Sequence, residues 1–145
     1  MMVRLVYVSR TEQVSDESQV DAIIKRSREH NPVNGITGVL CHTGSMFLQV
    51  LEGGREAVNR LYTDITRDDR HHDVTLLEYA EINQRRFENW TMGRVNLDKL
   101  NPAVLLRHSE LPTLDPYRLS GATCVALLDD LLSNAAVYSK SSSGY

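Results

Sequence analysis

Two apolar runs, residues 36–41 (ITGVLC) and 46–51 (MFLQVL), are separated by only four residues, His42, Thr43, Gly44 and Ser45. Short apolar runs joined by a small polar segment that contains Gly predict a β-hairpin. Asn34–Gly35 just ahead of it is a turn signal. Within the second run, Gln49 shares a strand face with Phe47 and Leu51, because strand side chains alternate. An amide on that face is buried and needs partners.

The flanking segments are where those partners are to be sought. Residues 3–9 predict a strand with Val3, Leu5 and Tyr7 on one face and Arg4, Val6 and Val8 on the other. Two apolar faces suit a central strand covered on both sides. Ser15 is placed as a helix N-cap, with Asp16 and Glu17 in the first turn. Val20, Ile23, Ile24 and Ser27 continue at helical spacing, and the helix ends near His30 because Asn31 precedes Pro32. Gly53–Gly54 breaks the second hairpin strand and starts a helix over Arg55–Thr66, with Val58, Leu61, Tyr62 and Ile65 as its stripe. Residues 74–82 alternate as a strand, with Val74, Leu76, Glu78 and Ala80 on one face. Residues 90–95 form a short final strand, on which Trp90 and Met92 share a face.

The order is a βαββαβ pattern plus a short fifth strand, that of an α+β ferredoxin-like sandwich with two helices on one sheet face. The open face is apolar. Pro102–His108 and Gly121–Ser133 predict the C-terminal helices that cover it, the latter through Val125, Leu128, Leu131 and Leu132. The expected division is a core over 1–97, a helical extension over 98–138 and a polar tail over 139–145.

Several function classes lose support. The net charge is -3 and the pI about 5.9, without the basic stripe of a nucleic-acid surface. No run of apolar residues is long enough to span a membrane, and the start carries no signal-peptide pattern. A cytoplasmic protein is expected. Cys41 and Cys124 lack metal spacing. His71–His72 point oppositely in an extended chain, so no metal is expected. Gly53–Gly54 before a helix fits a phosphate cradle, or a plain helix start. A nucleophile–base pair, as a hydrolase would need, is not evident. Tyr7, Gln49, Asn31 and Trp90 each have a plain core reading when taken singly.

Taken together, the stretches RLVYVSR, HNPVNGITGVL, FLQVLEGGREAVNRLY, DDRHHDV and RRFENWTMG resemble the BLUF family of flavin-binding blue-light sensors, from Met2 to about Val95. Tyr7, Asn31 and Gln49 stand at the matching spacing. The resemblance implies a flavin cofactor, FAD first, with FMN or riboflavin as alternatives. It implies that Tyr7 is the photoactive electron donor, that Gln49 lies between Tyr7 and the flavin, and that Trp90 and Met92 are the variable pair near Gln49. Asn31 would bond the polar edge of the ring, and Ile23 and Ile65 would sandwich it. His30, Asp68, Arg70 and His71 would touch the ring edge, ribityl chain or phosphate. Asp64 stands where some members have Arg, which leaves a phosphate contact there unsupported. The implied function is non-enzymatic light sensing, with output through a downstream partner protein or a change of homo-oligomer. The competing expectations are a light-independent flavin redox enzyme and a cofactor-free interaction module.

Overall fold

The alternating apolar segment at the N-terminus becomes the second strand of a five-stranded sheet. The computed structural model describes residues 1–12 and 17–133. Its elements are β1 (Met2–Arg10), α1 (Glu17–His30), β2 (Thr37–His42), β3 (Met46–Gly54), α2 (Arg55–Thr66), β4 (His72–Ile82), β5 (Gly93–Asn96), α3 (Pro102–His108) and α4 (Gly121–Ser133). The strand order is β4-β1-β3-β2-β5. Pairing is antiparallel except between β2 and β5. This is the ferredoxin-like sandwich expected from the element order. The expected Ser15 cap and the 139–145 tail lie outside the described residues.

The sheet separates two cores. On one face Val3, Leu5, Tyr7, Phe47 and Leu51 pack with Val20 and Ile24 of α1 and Val58 of α2. On the other, Val6, Val8, Val39, Cys41, Leu48 and Val50 pack with Cys124, Val125, Leu127, Leu128 and Leu131 of α4. The C-terminal helix therefore covers the face that α1 and α2 leave open. It approaches closely: a Cβ on Gly121 would fall 2.2 Å from the Glu78 Cβ. Among the described residues no helix is long and apolar enough to cross a membrane.

Three local expectations are corrected. First, β3 does not break at Gly53–Gly54: it runs through both, pairing Val3 with Gly53 and Met2 with Gly54. A Cβ on Gly53 would come 2.9 Å from the Gly35 carbonyl oxygen, so the tight approach of the α1–β2 turn is the reason for glycine there. Second, β4 does not alternate throughout. The register against β1 shifts between Val6/Tyr7, so that Tyr7 pairs with Leu76 and Val6 with Glu78. The extra residue, Leu77, joins the α4 core, and Glu78 turns to the same side. Third, β5 begins only at Gly93, so Trp90 and Met92 precede it in bent backbone. They do not share a face: Trp90 joins the α4 core and Met92 the α1–α2 core.

Glu52 explains how that bent segment is held. It is a fully buried acid on β3. Its carboxylate accepts from Arg4 Nε at 2.9 Å, from the Arg86 amide at 3.0 Å and from the Phe87 amide at 2.7 Å. A buried charge is tolerated when it is paired and hydrogen-bonded. The Trp90 amide then bonds the Phe87 carbonyl at 3.1 Å, and the Trp90 carbonyl accepts from the Gly38 amide at 2.9 Å. Residues 86–90 are thus pinned to the sheet ahead of Met92.

Candidate functional site

Between α1, α2 and the sheet lies a cavity of about 230 Å³, lined by Tyr7, Ile23, Arg26, Ser27, His30, Asn31, Gln49, Leu61, Asp64, Ile65, Asp68, Arg70 and His71. All nine residues expected around a cofactor line it. Trp90 does not, since it lies beyond the sheet. Arg26, Ser27 and Leu61 were not foreseen. Ser27 and Leu61 already lay on the inner stripes of their helices, whereas Arg26 falls on the outer face of α1 by the same spacing and reaches the cavity all the same.

At the floor, β1 and β3 are in register with Tyr7 opposite Gln49. The Tyr7 hydroxyl donates to Gln49 Oε1 at 2.5 Å. Gln49 Nε2 donates to Met92 Sδ at 3.3 Å. Both ends of the buried amide are therefore occupied by side chains of the chain itself. Burial, with Tyr62 and Asp68 nearby, raises the Tyr7 pKa far above the ordinary phenol value. Tyr7 stays a neutral donor.

His71 stands on the wall beside Tyr7, with ring centroids 6.2 Å apart, and 5.2 Å from the Phe47 ring. Its Nδ1 lies 2.8 Å from the buried Ser9 hydroxyl. Burial lowers the His71 pKa to about 4, so the ring is neutral near pH 7. At the mouth, Arg70 Nε and its terminal nitrogen grip Asp68, with the Nε 3.0 Å from both carboxylate oxygens. That fork holds the Asp68 carboxyl down at about 2.

Asn31 is set by the end of α1. Its amide bonds the Ser27 carbonyl at 2.8 Å, and its carbonyl accepts from Ile36 at 2.9 Å and Asn34 at 3.1 Å. Gly35 closes the turn at φ 70, in the region glycine favours. The side chain is thereby aimed into the cavity, where it is 4% exposed. Its Nδ2 is buried without a hydrogen-bond partner. A buried donor left alone costs about 1–3 kcal/mol, and it marks the place where a ligand acceptor belongs. Aliphatic walls from Ile23, Leu61 and Ile65, an orphaned amide donor and a polar mouth fit a planar heteroaromatic ring with carbonyl groups and a polar tail. The residues present therefore fit a flavin. Among the described residues no cluster of three metal-ligating side chains occurs.

Known proteins are similar to this chain in sequence and fold. The first 89-residue match is to photoactivated adenylate cyclase subunit beta of Euglena gracilis, 35% identical over 61% of this chain and 10% of that protein. The chain thus spans about a tenth of that relative's length. Among solved structures, BlsA in its photo-activated state superposes with a TM-score of 0.81 at 31% identity, covering 91% of this chain and 95% of that one. The dark state of the BLUF protein BlrB superposes at 0.76 with 30% identity, covering 92% and 96%. Residues 2–93 match the family model described as sensors of blue-light using FAD, and with it the chain belongs to the BLUF family of flavin-binding blue-light sensors.

Proposed function

We propose that the signal of this blue-light sensor is the orientation of the Gln49 amide, set by Tyr7 and read by Met92. The observation that carries this reading is the unbroken line Tyr7 hydroxyl, Gln49 amide, Met92 thioether, with contacts of 2.5 Å and 3.3 Å. Flavin, bound and excited by blue light, supplies a strong one-electron oxidant. Tyr7 is the residue positioned to yield an electron, and its hydroxyl proton already points at Gln49 Oε1. The buried phenol does not ionise first, because burial disfavours the phenolate. With flavin bound, the electron would go to the excited ring and the hydroxyl proton would follow through Gln49, and both would return to Tyr7 as the ring relaxes. Gln49 is then released from the donor that fixed its oxygen, and it can rotate or tautomerise without moving the backbone. Such a change becomes a signal only where the two arrangements contact a neighbour differently. Met92 is that neighbour, one residue ahead of β5.

The residues we assign to the cofactor are Tyr7, Ile23, His30, Asn31, Gln49, Ile65, Asp68, Arg70 and His71, all of which line the cavity. Asn31 bonds the polar edge of the ring, and Ile23 and Ile65 wall its faces. FAD is the form we assign, following the family's description. Arg26 joins Arg70 at the mouth, while Asp64 gives no phosphate contact. Mass analysis of the released cofactor separates FAD from FMN and riboflavin.

Output passes to a partner protein or to a second copy of the chain, in the cytoplasm and without catalysis by this domain. The two buried cysteines, Cys41 and Cys124, are free thiols, in keeping with a reducing compartment. Trp90 is assigned no part in the light reaction, because the sheet separates it from Gln49.

The test is an absorption spectrum of the purified protein before and after blue light, followed in darkness. Flavin bands that move slightly to the red and return are expected. Flavin bands that bleach or stay fixed would exclude the sensor mechanism. Oxidation of reduced nicotinamide in darkness would favour a redox enzyme.

A further inference from the structure

Met92 is tied at both ends. Its thioether accepts from Gln49, and its main-chain carbonyl accepts from a guanidinium nitrogen of Arg28 at 3.2 Å. That carbonyl sits in the bent backbone just before β5, so it has no strand ladder to satisfy it. Arg28 belongs to the last turn of α1 and does not line the cavity. Among the described residues no carboxylate pairs with it. Two residues beyond Met92, Arg94 pairs with Asp21 of α1 and also donates from Nε to His42 Nε2 at 3.2 Å.

Asp21 and Arg28 are seven residues apart on α1, which places them on one helix face two turns from each other. Met92 and Arg94 are two apart in near-extended chain. The result is a two-point seam between α1 and the entry to β5. One point is a charge pair. The other is a cation held on a neutral carbonyl beside Gln49's acceptor.

We propose that Arg28 is a positioning residue for the light reaction, fixing the Met92 backbone so that its thioether faces Gln49 and coupling the amide's orientation to α1. The proposal rests on the sensor reading above. A change at Gln49 alters the hold on the Met92 side chain. Because the Met92 carbonyl is fixed to Arg28, the strain appears at that carbonyl and at the end of α1, rather than being lost in a loose loop.

The experiment uses the full chain loaded with flavin and grown with methionine labelled by heavy carbon at its carbonyl. Only Met1, Met2, Met46 and Met92 carry the label. Light-minus-dark infrared spectra should show a label-shifted carbonyl pair, which Met92→Leu removes. In Arg28→Ala that pair should vanish, and the dark-recovery rate should change about tenfold, the scale of one charge-assisted hydrogen bond. Flavin affinity should stay within about twofold, since Arg28 does not reach the cavity. Arg28→Lys should restore the carbonyl pair, and Arg28→Gln serves in its place should the alanine variant not fold. A labelled pair and a recovery rate unchanged in Arg28→Ala and Arg28→Gln would overturn the proposal. A wild-type protein that holds flavin but gives no reversible red shift would overturn the sensor reading itself, and the proposal with it.

Discussion

Met92 Sδ accepts a hydrogen bond from Gln49 Nε2 at 3.3 Å, and a thioether has nothing to donate in return. The Tyr7 hydroxyl, by contrast, can donate or accept. Turning the Gln49 amide over would leave a workable bond to Tyr7 but would set oxygen against sulfur. Met92 therefore selects which end of the amide faces Tyr7. Met92→Leu keeps volume and removes the acceptor, so its packing cost stays under about 1.5 kcal/mol. The orientation bias should weaken by about 0.5–1 kcal/mol, a change of roughly twofold to fivefold in dark recovery. Recovery of the flavin absorption after a blue flash measures it, and an unaltered rate would remove Met92 from the readout.

Tyr7→Phe takes away the electron donor and the hydrogen bond to Gln49 Oε1 together. The ring still fits beside Tyr62, whose centroid lies 5.7 Å away. Flavin should remain bound, and the reversible red shift should disappear. The variant should lose about 1–3 kcal/mol of stability, because Gln49 keeps a buried oxygen without its donor. Absorption spectroscopy and urea unfolding of the same sample check both halves.

Asn31→Ala separates binding from stability. The Asn31 backbone closes α1, and alanine keeps those bonds. Its Nδ2 has no partner, so the chain without cofactor loses nothing at that atom. Flavin affinity should fall about tenfold, the worth of one hydrogen bond in a dry site. Titration with flavin, alongside thermal unfolding of the cofactor-free chain, tests this. A drop in stability with unchanged affinity would show the side chain to be structural.

His71 makes stability depend on pH in a known direction. Its pKa falls from 6.5 in the unfolded chain to about 4 in the folded one, because burial disfavours the charged ring. The unfolded state thus binds the proton first as pH drops. Stability from this group is complete above pH 6.5 and is lost progressively toward pH 4. At full loss the effect is about 3 kcal/mol. His71→Gln should flatten the pH dependence of unfolding across that window. Equal slopes in wild type and variant would mean that His71 titrates freely.

How far the sequence reached depended on regularity. The helix over Arg55–Thr66 ended where its apolar stripe ended, and the helix over Gly121–Ser133 buries Val125, Leu128 and Leu131 as the spacing required. Alternation made Tyr7 and Gln49 legible as residues of one sheet face, and the family resemblance made them partners; the register of β1 and β3 sets them opposite each other. The pattern failed where the backbone departs from its period. One extra residue at Leu77 turns Glu78 toward α4, and no side chain announces a bulge. Trp90 and Met92 lie two apart in bent chain, so a strand's parity did not apply to them. Glu52 carried the same signal as Gln49, a polar group inside an apolar strand. Arg4 on the neighbouring strand was a partner in plain view, but the other donors are main-chain amides thirty-odd residues away, which no side-chain pattern announces.

The placement of Trp90 gives a prediction opposite to that for Met92. Its ring packs in the α4 core, and a Cβ on Gly93 would press to 2.8 Å from it. Trp90→Phe leaves Tyr7, Gln49 and Met92 untouched, because the sheet stands between them. The light-induced shift should keep its amplitude, while a smaller ring loosens the core that holds α4. Trp90→Ala should cost about 3–5 kcal/mol, as truncation of a large buried ring does, and Trp90→Phe a fraction of that. Urea unfolding beside the photocycle of the same preparations decides the matter. A Trp90→Phe variant of normal stability that has lost its red shift would place Trp90 in the light reaction after all. Reduced stability with a normal shift would confine Trp90 to anchoring the C-terminal helix.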